Sequence, residues 1–280
     1  MASIGIFDSG IGGLSVYREI RKLLPAERYL YFADNAFCPY GTKSQDFIRE
    51  RAREITELLV RRGADILVVA CNTATAAAIA ALRAEFSDQP SEALQEWSDG
   101  RLDHLCFIGM EPAVKPAALG TQSGVVGVLA TAGTLAASKY LNTKGLYEDD
   151  VRIVEHVGQG FVELVEAGEL SGPRTEAIVR ESLTPLLEAG ADIIVLGCTH
   201  YPFLLDTLRK VADAYTRAAG REPVRFIDPA PAVARQLLKV MDQEGIAHGP
   251  VTPDSDLGTT DLTLLSSGPS CTLRDAAQLL

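Results

Sequence analysis

Two cysteines of this sequence occur in the same setting twice. Gly63-Ala64-Asp65-Ile66-Leu67-Val68-Val69-Ala70-Cys71 matches Gly190-Ala191-Asp192-Ile193-Ile194-Val195-Leu196-Gly197-Cys198 at six of nine positions. Each copy reads as a helix end, a buried strand, and a cysteine at the strand's carboxyl end. Polar residues follow both: Asn72-Thr73 after the first, Thr199-His200 after the second. Open α/β sheets bind ligands beyond the carboxyl ends of their strands, where both cysteines fall. Two identical acid/base groups on opposite sides of one carbon are what stereoinversion requires. One thiolate removes a proton and the opposite thiol returns one from the other face.

Such chemistry needs thiolate near neutral pH, whereas an ordinary cysteine titrates near ~8.5. A helix N-terminus favours the anion, and both cysteines precede expected helices. Those N-termini also offer N–H groups to a substrate carboxylate. Asp8 and His200 are the ionisable side chains best placed to assist, one with each thiol. Bland roles compete with these: a strand-end cysteine is commonly packing, Asp8 suits a turn or N-cap, and His200 suits a hydrogen-bonded helix start. The duplication favours chemistry for Cys71 and Cys198. Cys38, Cys106 and Cys271 lack it and are read as packing. No C-x-x-C pair occurs, so neither a metal site nor a redox pair is expected. Gly10, Gly12 and Gly13 follow no nucleotide-loop spacing.

The elements that must carry these residues alternate. Strands are expected at Ile4 to Phe7, Tyr29 to Ala33, Ile66 to Ala70, Cys106 to Gly109, Val125 to Leu129, Arg152 to Glu155, Ile193 to Leu196 and Val224 to Ile227, with a last one at Leu262 to Leu265. Helices are expected at Leu14 to Leu24, Asp46 to Arg62, Thr73 to Phe86, Gln159 to Ala167, Pro173 to Ala189, Phe203 to Ala219 and Val233 to Glu244, with a terminal helix to close. That rhythm means βαβ units and parallel sheets. Ser87 to His104 interrupts it and reads as a surface insertion, a loop or short helix containing Trp97. Gly249 to Thr260 reads as loop. A second echo supports duplication: Asp8-Ser9-Gly10 lies 63 residues before Cys71 and Thr131-Ala132-Gly133 lies 67 before Cys198, which sets Asp8 against Thr131.

Composition narrows the function. The chain has 280 residues, 47% hydrophobic and 22% charged, with 26 Lys plus Arg against 37 Asp plus Glu. It is globular in composition. A formal net charge of −11 argues against a general nucleic-acid binder. Asp8 breaks the first apolar run and no basic stretch precedes it, so no secretory signal is expected. The apolar stretch Ile66 to Leu82 contains Asn72, Thr73 and Thr75, and no membrane span is expected. Five scattered cysteines suit thiols in a reducing cytoplasm.

Taken together, Asp8-Ser9-Gly10-Ile11-Gly12-Gly13-Leu14, Pro39-Tyr40-Gly41, Cys71-Asn72-Thr73-Ala74 and Gly197-Cys198-Thr199-His200-Tyr201-Pro202 resemble the glutamate racemases of the aspartate/glutamate racemase superfamily. Glu111-Pro112-Ala113 and Ala130-Thr131-Ala132-Gly133-Thr134 agree, and the resemblance spans nearly the whole chain. It implies a cofactor-independent, metal-free isomerase interconverting L- and D-glutamate for peptidoglycan, and so for cell-wall synthesis and cell shape. It implies Cys71 as the thiol that takes the proton from D-glutamate and Cys198 as the one that takes it from L-glutamate. Substrate contacts carry over to Asp8, Ser9, Tyr40, Gly41, Asn72, Thr73, Thr131, Thr199 and His200. A cytoplasmic homodimer is expected, with no nucleic-acid or membrane partner.

The fold implied is α/β: two similar domains whose parallel-sheet cores face each other across an active-site cleft. The first is expected to hold residues 1–103 plus 229–280 and the second 104–228. Two features depart from the family pattern: the long Ser87 to His104 insertion, and the prolines of Asp228-Pro229-Ala230-Pro231 where a less rigid turn is usual. The competing readings are a related racemase for aspartate or a hydantoin, and a non-enzymatic two-domain protein that closes on an amino acid. Tyr40 and His200-Tyr201-Pro202 favour glutamate. The paired thiols argue against mere binding, and also against a decarboxylating relative that uses a single cysteine.

Overall fold

In a computed structural model that describes residues 1–251, 261–269 and 271–278, the chain divides into two compact units. The first comprises Met1–Met110 with Ala230–Leu280, and the second Glu111–Pro229. The strands of the first unit are β1 (Ser3–Asp8), β2 (Arg28–Ala33), β3 (Ile66–Val69), β4 (Cys106–Ile108) and, from the returning segment, β9 (Asp261–Ser266). The strands of the second are β5 (Val125–Ala130), β6 (Arg152–Val157), β7 (Ile193–Gly197) and β8 (Arg225–Ile227). Every pairing among them is parallel. The fold is α/β with two parallel sheets. The expected loop at 252–260 lies outside the described residues.

Continuous apolar runs make the central strands. All of β1, β3 and β7 is buried, as parallel strands covered on both faces must be. Helices supply the cover. Gln45–Arg61 starts at Ser44, whose hydroxyl accepts from the Phe47 N–H at 3.3 Å, and turns its Ile48, Ile55 and Leu59 inward. Gly63, at φ +94, and Gly190, at φ +92, occupy matching positions where the chain turns left-handed before a central strand. The aspartates that follow serve alike. Asp65 accepts from the Ser3 N–H, and Asp192 from the Gln122 and Ser123 N–H groups, so each ties the entry of the neighbouring strand.

Strand order runs β4-β3-β1-β2-β9 in one sheet and, read in the same sense, β8-β7-β5-β6 in the other. Register makes the correspondence exact to the residue: Ile4 pairs with Ile66 where Val126 pairs with Ile193. Gly5 and Gly127 are therefore equivalent. A Cβ on either would fall within 2.3 Å of Leu67 Cδ2 or 2.5 Å of Ile194 Cδ1, so glycine lets the same packing form twice. The register also corrects the second echo. Ser9, not Asp8, is the counterpart of Thr131, and Asp8 corresponds to Ala130. Cys71 still matches Cys198. The two halves thus share their thiols but not their carboxylate.

Three further expectations change. The crossing expected near His104 comes one strand too early, because β4 bonds to β3 (Ile66 opposite Cys106) and closes the edge of the first sheet. The first unit therefore runs to Met110, and the chain re-enters it at Ala230. The Ser87 to His104 insertion contains a short helix, Glu92–Trp97, but its apolar side is not on the surface. Leu94 and Trp97 are buried in the first unit's core, with the Trp97 ring 5.1 Å from Phe86 and under the Arg53 guanidinium. The helix expected from Val233 begins at Ala230. Pro231 sits in its first turn, where a missing N–H costs no hydrogen bond, so these prolines open a helix rather than stiffen a turn. Among the described residues, no helix is long and apolar enough to cross a membrane.

Candidate active site

β3 delivers Cys71 to the start of the helix Asn72–Phe86, where it is the N-cap residue. Its sulfur accepts from the Ala74 N–H at 3.4 Å. Negative charge on Sγ therefore meets a donor from the positive end of a helix. The thiol is 5% exposed. Beside it lies Ser9, with Oγ 4.0 Å from Cys71 Sγ and 3.4 Å from Asp8 Oδ1.

Asp8 ends β1 and is fully buried. Its two oxygens accept from the N–H groups of Ser9 (2.7 Å) and Gly13 (2.6 Å), which folds the glycine-rich loop around the carboxylate. Gly13 is needed there, since a Cβ would come within 2.8 Å of Asp8 Cβ and of Tyr31 Oη. Asp8 and Cys71 are thus brought to one end of the first sheet, with Ser9 between them.

Tyr40 and Gly41 lie in the short 3-10 turn Tyr40–Thr42. The Tyr40 hydroxyl donates to Asp34, a fully buried carboxylate that Arg51 grips through Nε (3.0 Å) and a terminal nitrogen (2.8 Å). Burial, then the bond to Asp34, pushes the Tyr40 hydroxyl far above the ordinary phenol range, with the nearby Cys71 adding in the same sense. Tyr40 is consequently a neutral group in a fixed rotamer. The Asp34–Arg51 pair was not singled out in the sequence; Asp34 comes directly after the carboxyl end of β2, and that position was its one signal.

Asn72 is 4% exposed, and among the described residues neither polar atom of its amide has a hydrogen-bond partner. An unsatisfied buried amide costs about 1–3 kcal/mol unless something completes it. A polar ligand beside Cys71 would complete it. Thr73, the next residue, is also buried.

In the second unit β7 delivers Cys198, 7% exposed. The helix expected at Phe203 to Ala219 is present, but its N-terminus does not cap this thiol as the helix Asn72–Phe86 caps Cys71. A tight turn and the 3-10 segment Tyr201–Leu204 intervene before the helix Leu205–Ala218. What Cys198 has instead is a side-chain relay. His200 Nδ1 lies 3.8 Å from Cys198 Sγ, and its Nε2 lies 2.7 Å from Glu166 Oε1. With the Nε2 proton directed at the carboxylate, Nδ1 is the acceptor that faces the thiol. His200 is 1% exposed. Tyr201, wholly buried, packs edge-on against Phe161 at 5.0 Å and closes this corner from behind.

Thr131 caps the helix Ala132–Leu135, its hydroxyl accepting from the Thr134 N–H at 3.3 Å and lying 3.0 Å from the Thr134 hydroxyl. Thr199 is buried next to Cys198. Glu166 escaped the sequence reading. It ends the helix Phe161–Glu166, far from Cys198 in the chain, and only the fold joins them. Each unit therefore gathers its own thiol and its own means of handling a proton: a helix N-terminus with a buried carboxylate nearby in one, an imidazole–carboxylate pair in the other.

Comparison with known proteins gives this arrangement a context. Residues 4–237 match the family model described as Asp/Glu/Hydantoin racemase. A glutamate racemase of Ectopseudomonas mendocina is 47% identical over 242 residues, covering 86% of this chain and 83% of that protein. A crystal structure of a glutamate racemase isoform from Bacillus anthracis aligns over 99% of this chain and 93% of its own, with 28% identity and a TM-score of 0.77. The Escherichia coli glutamate racemase, crystallised with L-glutamate and the activator UDP-MurNAc-ala, aligns over 99% and 94%, with 31% identity and a TM-score of 0.73.

Proposed function

Because this chain belongs to the Asp/Glu/hydantoin racemase family, we propose that it racemises glutamate through Cys71 and Cys198 as its two bases. It is an amino-acid racemase, an isomerase. The observation that carries the mechanism is the pair of thiols at register-matched positions of two like sheets, each with its own proton-handling partners. Glutamate as substrate is supported by the relatives' activity and by the L-glutamate held in the E. coli structure.

The chemistry balances with these groups alone. Starting from L-glutamate, the Cys198 thiolate takes the Cα proton and leaves a carbanion. The Cys71 thiol then protonates the opposite face, giving D-glutamate and a Cys71 thiolate. Reaction from the D side runs in reverse, and solvent exchange restores either protonation state. His200, held by Glu166, keeps the Cys198 sulfur able to accept a proton. The Ala74 N–H stabilises charge on Cys71.

The remaining groups bind and orient. The Asp8 carboxylate attracts the substrate ammonium. Asn72 offers its amide, and the N–H groups opening the helix Asn72–Phe86 suit a carboxylate. Ser9, Tyr40, Gly41, Thr73, Thr131, Thr199 and His200 complete the contacts. The product's place is the cytoplasm, where D-glutamate supplies peptidoglycan and thereby cell shape, and the enzyme works as a homodimer.

Polarimetry on purified protein tests the reading. After dialysis against a chelator, and with L-glutamate as sole addition, optical rotation should decay to zero, and the same should happen from D-glutamate. Rotation that is lost with aspartate or a hydantoin but not with glutamate would assign another substrate. Activity regained only with pyridoxal phosphate or a metal would overturn the two-thiol chemistry.

A further inference from the structure

At the edge of the first sheet, away from Cys71, three other ligand-type side chains converge. His104 precedes β4, Cys106 opens it, and Glu244 follows the helix Ala230–Gln243. Their donor atoms (an imidazole nitrogen, a sulfur and a carboxylate oxygen) all lie within 4.8 Å of one another. His104 Nε2 is already 3.1 Å from Glu244 Oε2. The three share the wall of a cleft of about 370 Å³ with Asp103 and with Asp65, which is ion-paired to Arg101. All belong to the first unit.

We propose that His104, Cys106 and Glu244 bind one divalent cation of the zinc class. Tetrahedral ligation at about 2.0–2.3 Å places donor atoms roughly 3.3–3.8 Å apart, so the present spacing needs only small side-chain adjustments. The donor set selects the ion: thiolate and imidazole suit zinc or cobalt, whereas magnesium and calcium take oxygen ligands. One thiolate and one carboxylate balance the charge of a divalent ion, the thiol proton leaving to solvent. Glu244 donates its backbone N–H to Val240 O at the C-terminal end of its helix, where the dipole favours a cation. Three protein ligands leave a fourth position for water or a small ligand.

The ion would tie the returning segment, through Glu244, to β4 of the leading segment. It would not reach the reacting thiol. Cys106 pairs with Ile66 at the start of β3, and Cys71 lies past the other end of that strand, roughly 16 Å away at about 3.3 Å per residue. No C-x-x-C or H-x-x-x-H pattern announces the site because Glu244 comes from the far side of an inserted unit.

Cobalt titration of the full chain, reduced and stripped by chelator, tests the proposal. A Cys38→Ser/Cys71→Ser/Cys198→Ser background removes the other free thiols among the described residues. In that background one equivalent of Co²⁺ should produce a thiolate-to-cobalt charge-transfer band that zinc abolishes. Adding Cys106→Ser should remove the band. His104→Ala and Glu244→Gln should each weaken cobalt binding by ~10–100-fold, at least what loss of an outer-shell partner costs. Zinc should also raise the thermal midpoint of the parent but not of Glu244→Gln, whose exposed substitution leaves the fold intact. A band absent from the triple-serine background, or one that survives Cys106→Ser, would overturn the proposal. So would equal cobalt affinity in parent and Glu244→Gln, even if Cys106→Ser failed to fold.

Discussion

Cys71→Ser and Cys198→Ser should each lower the rate of glutamate racemisation by ~10²–10⁴-fold, the range that positioned acid/base groups contribute. Serine fills nearly the same volume but neither accepts nor gives up a proton as readily as a thiol. The loss should come without unfolding. At Cys71 the thermal midpoint should hold or rise, because the sulfur caps the helix Asn72–Phe86 through the Ala74 N–H and a serine hydroxyl is a better N-cap. Activity and stability then move in opposite directions, which separates a chemical role from a packing one. Substrates with a β-leaving group divide the two variants further, since elimination needs only the first proton transfer. Cys71→Ser should still eliminate from the L antipode through Cys198, and Cys198→Ser from the D antipode through Cys71. Equal loss on both antipodes in both variants would contradict the assignment of faces.

His200→Asn should also lower racemisation, by ~10²-fold or more, and Glu166→Gln by less, because the glutamate acts through the imidazole it orients. The equilibrium constant between enantiomers is unity, so kcat/KM must fall equally in both directions whichever thiol is impaired. The asymmetry appears in isotope effects instead. With His200 removed, proton transfer at Cys198 becomes more rate-limiting. The primary effect of deuterium at Cα should therefore grow for L-glutamate and shrink for D-glutamate. Identical changes for the two antipodes would mean that His200 does not serve Cys198 selectively.

The pairing of Cys71 with Cys198 was legible in the sequence because strand register preserves it. A buried parallel strand needs a continuous apolar run, and Gly-Ala-Asp-Ile before each cysteine records the same helix exit, the same aspartate tie and the same strand entry. The alignment of Asp8 with Thr131 slipped by one residue because loop length was the only guide to it; the pairing of Ile4 with Ile66 and of Val126 with Ile193 fixes the correspondence. Trp97 looked exposed because its neighbours are polar. A six-residue helix is enough to bury it against Phe86 while those neighbours face water. Glu166 and the Asp34–Arg51 pair were beyond reach for a different reason. Their partners, His200 and Tyr40, sit on other elements, and no local pattern encodes a tertiary hydrogen bond. The expectation that the helix from Phe203 acts on Cys198 through its N-terminus failed because the 3-10 segment Tyr201–Leu204 separates the two. Correcting it changes the chemistry, because a side-chain relay stands where a helix N-terminus was expected.

Racemisation in D₂O, read by mass at low conversion, tests the two-base account most directly. Each thiol exchanges its proton with solvent, and the thiol that donates to the product is never the one that took the substrate's proton. Product formed from either enantiomer should therefore carry deuterium at Cα. Residual substrate should stay largely protiated, since return from the abstracting thiol restores the original proton. A single base moving between faces would instead carry substrate protium across. Deuterium in nearly all product, from both directions, is the result expected of Cys71 and Cys198 acting from opposite sides; substantial protium in the product would contradict it, even if both cysteines proved essential.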